Sequence, residues 1–134
     1  MSFLSSPESL ARFLVTSFFA IVFLQSAADK ILDRDGNLGY FRDHFKQSPF
    51  PPEMMPLLLK ILTWIEGTAG ALCALGILGG GFAERGMSAA AWGVWMSGFA
   101  LLCLLAGQRL AKDYAGAAVV AAYFAVAVIG VALF

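Results

Sequence analysis

Charged residues are scarce in this sequence. They make up 13 % of the 134 residues, about half the usual share of a soluble domain, while hydrophobic residues make up 60 %. Nine basic and nine acidic side chains give a formal net charge of zero. This composition excludes an ordinary soluble enzyme and a disordered chain, and the missing basic excess excludes a nucleic-acid binder. It indicates an integral membrane protein with little mass outside the bilayer.

Residues for metal, haem or thiol chemistry are also few. The sequence has one histidine, His44, and two cysteines, Cys73 and Cys103, with no C-x-x-C motif. One histidine cannot ligate a haem iron on both faces, no metal-ligand spacing occurs, and there is no phosphate loop or nucleophile elbow. We therefore expect no metal site and see no catalytic constellation, so any enzymatic activity would need a partner.

The gaps between charges mark the membrane spans, because a charge in the hydrocarbon core is costly. Sixteen uncharged residues separate Arg12 from Asp29, and twenty-three separate Arg85 from Arg109. Such runs approach the ~20 residues of a spanning helix, and they lack the alternation of a membrane β-barrel. We predict an all-α integral membrane four-helix bundle that forms one transmembrane domain, residues 1–134. The predicted spans are Leu10–Ala28, Met55–Leu78, Met87–Ala106 and Ala115–Phe134.

Four spans place both ends of the chain on one side of the membrane. The segments 29–54 and 107–114 share the other side, called here the loop side, and a glycine-rich turn at 79–86 lies with the termini. Seven of the nine Lys and Arg residues lie on the loop side or just inside it. The positive-inside rule alone therefore places the loop side in the cytoplasm.

The first loop contains helical signals. Asp33–Asn37 is typical of a turn with Asn37 as an N-cap, and Leu38, Phe41 and Phe45 then recur at helical spacing. We predict a short amphipathic helix in the membrane interface, which ends before the three prolines of residues 49–52. It either anchors the bundle or caps a site between the helices.

Small residues recur every four positions on three of the spans and allow close helix packing. We expect these rows to form contacts within the bundle, and a homo-oligomer stays open. The rows are Gly67 and Ala71, then Ala89, Gly93 and Ser97, then Ala117, Ala121 and Ala125.

Glu66 is the most informative residue, because it is ionisable and lies within a predicted span. It lies eleven positions after Met55, which places it roughly 16 Å from the loop-side surface. The same counting places Tyr123 and Ser97 at similar depths, roughly 12 and 14 Å. These side chains either form a structural hydrogen-bonded layer or contribute to a proton-handling or ligand-binding site.

A second polar cluster lies at the loop-side boundary. It either forms a network of ion pairs that closes the bundle, or it binds an anionic headgroup or the polar head of a ligand. The candidate ligand-binding residues in this cluster are Gln25, Asp29, Lys30, Arg109 and Asp113.

Two segments resemble the DoxX family of small four-helix bacterial membrane proteins. Residues 23–33, FLQSAADKILD, are similar to the family's signature around a lysine at the membrane exit, except that Ala27 stands where many members have glycine. Residues 66–76, EGTAGALCALG, are similar to its glutamate followed by spaced glycines.

This resemblance implies a multi-pass protein of the bacterial inner membrane, with the loop side in the periplasm, contrary to the charge count. It implies an accessory subunit of a larger respiratory or redox assembly. The alternative it implies is a quinone- or lipid-binding component of an oxidoreductase similar to thiosulfate:quinone oxidoreductase. The cofactor stays unknown, with quinone as a candidate, and no nucleic-acid partner is expected.

Overall fold

The computed structural model of the chain describes residues 6–79 and 84–134. These residues form five α-helices and one short 3-10 turn, at Pro52–Met54, and contain no strand. The helices are α1 Pro7–Leu32, α2 Arg34–His44, α3 Met55–Leu78, α4 Glu84–Leu110 and α5 Tyr114–Leu133. The predicted all-α membrane bundle is therefore confirmed. Of the predicted turn at 79–86, residues 80–83 lie outside the described residues, and residues 84–86 belong to the start of α4.

Four of these helices are long and apolar enough to cross a membrane, and they correspond to the four predicted spans. α1 extends beyond its predicted limits to Pro7 and Leu32, and α4 continues to Leu110. The extensions at the loop-side ends carry Asp29 and Arg109, two of the charged residues that were used to delimit the spans. A charge ends the hydrocarbon-compatible part of a helix without ending the helix itself, because the backbone hydrogen bonds continue into the interface.

The amphipathic helix of the first loop is confirmed, but its predicted start is wrong. Asp33, rather than Asn37, is the N-cap: its carboxylate accepts from the Gly36 amide at 3.3 Å, and α2 begins at Arg34. The Asn37 side chain instead donates to the Asp33 carbonyl at 2.8 Å and to Asp29 at 3.3 Å. The predicted turn is therefore the first turn of a helix that follows α1 almost directly.

The core lies among α1, α3, α4 and α5. Phe19 and Phe23 of α1 stack at 5.8 Å and are fully buried, as are Val94 and Leu101 of α4. The predicted contact row Ala117–Ala125 on α5 is wrong, because Ala121 and Ala125 are exposed. α5 instead packs through a face shifted around the helix, on which Ala117, Ala127 and Gly130 are buried and the larger Val120 and Phe124 contact the core.

Candidate functional site

The candidate site begins at a close crossing of α1 and α3. Gly70 lies so near α1 that a Cβ there would come within 2.8 Å of the Leu24 backbone nitrogen. One turn towards the loop side, Gly67 faces the small side chain of Ala27. This close approach, possible only with small residues, brings the adjacent Glu66 against the last two turns of α1.

There Glu66 meets two side chains of α1. Its Oε1 atom lies 2.9 Å from Lys30 Nζ, and its Oε2 atom accepts a 2.7 Å hydrogen bond from the Ser26 hydroxyl. Lys30 also donates to Ser26 Oγ at 2.7 Å. Ser26 and Lys30 are four residues apart and share one face of α1. We call these three residues the buried triad.

The triad is withdrawn from solvent. Glu66 is 2 % exposed, and the Lys30 side chain is 12 % exposed. Oε1 of Glu66 has its charged contact with Lys30 and no other polar partner among the described residues. The carboxylate therefore keeps a position at which it could accept one further donor.

The depth of the triad differs between its two helices. Glu66 lies eleven residues into α3, roughly 16 Å from its loop-side end, whereas Lys30 lies two residues before the end of α1, roughly 3 Å. α3 therefore extends beyond α1 on the loop side, and α2 packs against this extension. The triad therefore lies where α1 ends beside α3, next to the part of α3 that α2 covers.

Two cavities adjoin the triad, and Lys30 lines both. The first, called here the outer groove, has a volume of about 490 Å³ and runs along the surface of α1 and α3. Its polar side chains include three bases, Lys30, Arg34 and Lys60, and no acidic side chain among the described residues lines it.

The second, called here the roofed cavity, has a volume of about 480 Å³ and lies between α2, α3 and α4. Its roof is aromatic, with Tyr40 and Phe41 from α2 and Phe45 directly after it, and its other walls are mainly aliphatic. A mostly apolar cavity with a few polar groups at one place is the usual form of a small-molecule site.

His44 joins the roof to the loop-side end of α4. Its Nε2 atom is hydrogen-bonded to the Gln108 side chain and lies 3.8 Å from Asp113 Oδ2. Tyr40 stacks on the His44 ring with centroids 5.1 Å apart. The contacts of His44 with Gln108 and Asp113 hold α2 over the cavity, and the Tyr40 stack, which lies within α2, orients the His44 ring.

Ser97 and Tyr123 are not brought to Glu66. Ser97 donates to the Gly93 carbonyl at 2.7 Å and lies 4.0 Å from the Cys73 sulfur, two turns along α3 from Glu66. Tyr123 packs edge-to-face on Phe18 at 5.6 Å. Phe18 is eight residues from Ser26 on α1, roughly 12 Å along the axis. Ser97 and Tyr123 were predicted at a depth similar to that of Glu66, but a similar depth in the membrane does not bring side chains into contact.

The remaining predicted residues lie around the boundary without forming one cluster. Gln25 is exposed, and Asp29 accepts from Asn37 and so links α1 to α2. Arg109 lies over the Tyr114 ring at 4.6 Å. Asp113 caps α5 by accepting from the Gly116 amide at 2.9 Å.

The alternative of a loop-side ion-pair network is wrong for the residues that the structure describes. Among the Lys and Arg residues on that side, only Lys30 and Lys46 lie within 4 Å of a carboxylate, and the Lys46–Asp43 pair is largely exposed. The bases without a carboxylate partner there are Arg34, Arg42, Lys60, Arg109 and Lys112. Most of the loop-side positive charge is therefore not neutralised by pairing.

Sequence reasoning missed Ser26, His44 and Gln108 as members of the site. Ser26 had a usable signal, since it lies one helical turn before Lys30. His44 and Gln108 are 64 residues apart, and no local pattern joins residues at that separation.

The sequence matches the family model of the methylamine utilisation protein MauE over residues 8–117. The chain belongs to the MauE family. The match covers α1, α2, α3 and α4 and reaches the start of α5, so it includes the buried triad and both cavities. No curated protein and no solved structure matches the chain.

The MauE match corrects the expected DoxX family membership. The two segments on which that resemblance depended are a lysine at the end of the first span and a glutamate before spaced glycines in the second. These short patterns lie at the contact between α1 and α3, where small residues pack closely and a buried ion pair forms. The MauE match over residues 8–117 overturns the expectation of DoxX membership. The coarser expectation, a multi-pass integral membrane protein, stands.

Proposed function

We propose that this MauE-family protein is an accessory membrane component of a redox system for methylamine utilisation. The family match over residues 8–117 carries the proposal. The fold supports an accessory role, because the described residues outside the four spans are essentially α2 and its flanking segments. A larger partner would supply the catalytic groups, and the loop side, with its uncompensated bases and roofed cavity, would face that partner.

A growth experiment in the source organism tests this proposal. Deleting the gene should slow growth with methylamine as the sole nitrogen source and leave growth on ammonium unchanged. Wild-type protein should restore growth. Glu66→Gln should not, because it removes the charge that fixes Lys30 between the two cavities.

The matched control is Glu53→Gln, which removes a carboxylate from an exposed position just before α3. It should restore growth fully at equal membrane abundance. Unchanged growth of the deletion strain on methylamine would contradict the proposal. Isolation of the tagged protein under mild detergent should also recover a partner only from methylamine-grown cells.

A second candidate function is binding of a quinone in the roofed cavity. Two features of this cavity favour a quinone. The roof is aromatic, and Lys30 lines the cavity, where its ammonium could donate to a quinone carbonyl. A flat ring would stack on Phe41 or Phe45. The Lys30–Glu66 pair would then hold the donor in place.

Solvent extraction of purified protein tests this candidate. Wild-type protein should release quinone in near-stoichiometric amount, and Ile61→Trp should release much less, because Ile61 lines the cavity and is 46 % exposed. Leu57→Trp, at an exposed position of α3 that lines neither cavity, is the control and should retain the wild-type content. Quinone content unaffected by Ile61→Trp would exclude this binding site.

A further inference from the structure

We propose that the outer groove binds one anionic phospholipid, with its phosphate between Arg34 and Lys60 and an acyl chain along α3. The proposal concerns the lipid-facing surface and does not depend on the proposed function. It is carried by three features of the groove: its charge, its shape and its position.

The charge of the groove is positive and uncompensated. Lys30 is paired with Glu66, but Arg34 and Lys60 have no hydrogen-bond or ion-pair partner among the described residues. The nearby carboxylates are used elsewhere, since Asp33 caps α2 and Asp29 accepts from Asn37. Two unpaired bases at one end of an apolar surface are complementary to a phospholipid, whose negatively charged phosphate is joined to acyl chains.

The shape of the groove suits an acyl chain. Besides Leu59, its α3 wall is a stripe at helical spacing that ends in small residues: Lys60, Thr63, Trp64, Gly67, Thr68 and Ala71. Ala71 lies eleven positions after Lys60, roughly 16 Å along the helix. This length is about half of the ~30 Å hydrocarbon core, so the groove can follow a chain from the headgroup level towards the bilayer centre.

The groove opens towards lipid. Ile31 and Trp64, which line it, are 68 % and 69 % exposed. Lys60 lies five residues into α3, roughly 8 Å from its start, and its long side chain can reach the headgroups from that depth. Arg34 is the first residue of α2 and lies beyond the end of α1.

Native mass spectrometry of protein purified with equal amounts of phosphatidylglycerol and phosphatidylethanolamine tests the proposal. Wild-type protein should carry mainly one phosphatidylglycerol. Each base near an anionic lipid surface contributes roughly a fivefold preference. The variant Arg34→Gln/Lys60→Gln should therefore lower the phosphatidylglycerol-to-phosphatidylethanolamine ratio of the adduct by roughly 25-fold.

The matched control is Arg42→Gln/Lys112→Gln. It removes two bases from the same side that also lack a carboxylate partner but line neither cavity. It should keep the wild-type ratio. An equal loss in this control would show that net charge alone selects the lipid and would overturn the proposal, as would an unchanged ratio in Arg34→Gln/Lys60→Gln.

Two further measurements separate a lipid from a free anion. Ala71→Leu leaves every charge in place but fills the exposed deep end of the groove, and it should also weaken phosphatidylglycerol binding. Inorganic phosphate should not displace the lipid. Full displacement by phosphate, or normal lipid binding in Ala71→Leu, would show that no acyl chain occupies the groove.

Discussion

At the scale of single residues, the buried triad can act in two ways: it can stabilise the fold, or it can hold the Lys30 ammonium in position. Lys30 and Glu66 are both withdrawn from solvent, and together they join the end of α1 to the middle of α3. A buried ion pair contributes little net stability over an apolar pair of similar size, but removal of one partner leaves an uncompensated charge. The ion pair is therefore better explained by positioning of Lys30 than by stabilisation alone.

Glu66→Gln should destabilise the protein by about 3 kcal/mol, because Lys30 would then be a buried charge with only neutral partners. The double variant Lys30→Met/Glu66→Leu should recover most of this loss. Unfolding in detergent, followed by circular dichroism, measures both effects.

Glu53→Gln is the control for this comparison and should unfold like the wild type. If the double variant were as unstable as Glu66→Gln, the pair would be essential to folding. In that case the positioning role would lose its support.

The two charged residues of the triad were both predicted as candidates, but from different clusters. Glu66 was assigned to mid-membrane and Lys30 to the boundary, because depth was counted separately along each helix. The axial offset between α1 and α3 is set by how the two helices pack. It cannot be obtained by counting residues along either helix alone. The same omission explains why Ser97 and Tyr123 were expected beside Glu66.

At the scale of elements, the α3–α4 pair depends on two glycines. A Cβ at Gly76 would come within 2.7 Å of the Ala90 Cβ, and one at Gly93 within 2.7 Å of the Cys73 backbone nitrogen. Backbone atoms of a helix cannot move aside as the end of a flexible side chain can. The two glycines therefore set the distance between α3 and α4.

Gly93→Ala should therefore destabilise the protein by about 1–3 kcal/mol, since the added methyl group forces the helices apart. Gly98→Ala, on the same helix, is the control: its Cβ would lie 3.8 Å from Ala127, at ordinary contact distance. It should be neutral or stabilising by up to about 1 kcal/mol, from helix propensity. Equal losses in the two variants would contradict the close-contact explanation, and detergent unfolding distinguishes them.

The helices were largely predictable because membrane spans are set by hydrophobicity, which is local in sequence. The N-terminus of α2 was misplaced because two residues one helical turn apart, Asp33 and Asn37, could each cap it, and the contact of Asn37 with Asp29 decided between them. The buried face of α5 was misplaced for a related reason. Small residues mark where close packing is allowed, whereas Phe124 shows that a larger side chain can fill the interface instead.

At the scale of the whole molecule, orientation now follows from charge. The opposing expectation came from the DoxX resemblance, which the MauE match overturns. The loop-side bases are also mostly unpaired, so they count fully as topology signals. We predict that the loop side faces the cytoplasm and that Phe134 lies on the opposite side.

Alkaline phosphatase, which is active only outside the cytoplasm, tests this orientation. Fused after Phe134 it should be active, and inserted after Gln47 in the first loop it should be inactive. The reverse pattern would place the loop side outside.

Lys30 is the residue common to the linings of the outer groove and the roofed cavity. An anion beside Lys30 in the groove would draw the ammonium away from Glu66 and so alter the wall presented to a molecule under α2. Thermodynamic linkage then requires reciprocity: a lipid that changes the affinity of the cavity for its ligand must have its own affinity changed by the same factor. The composition of the surrounding membrane would in this way act as an effector of the protein, and equal fold-changes in the two binding constants would be its signature.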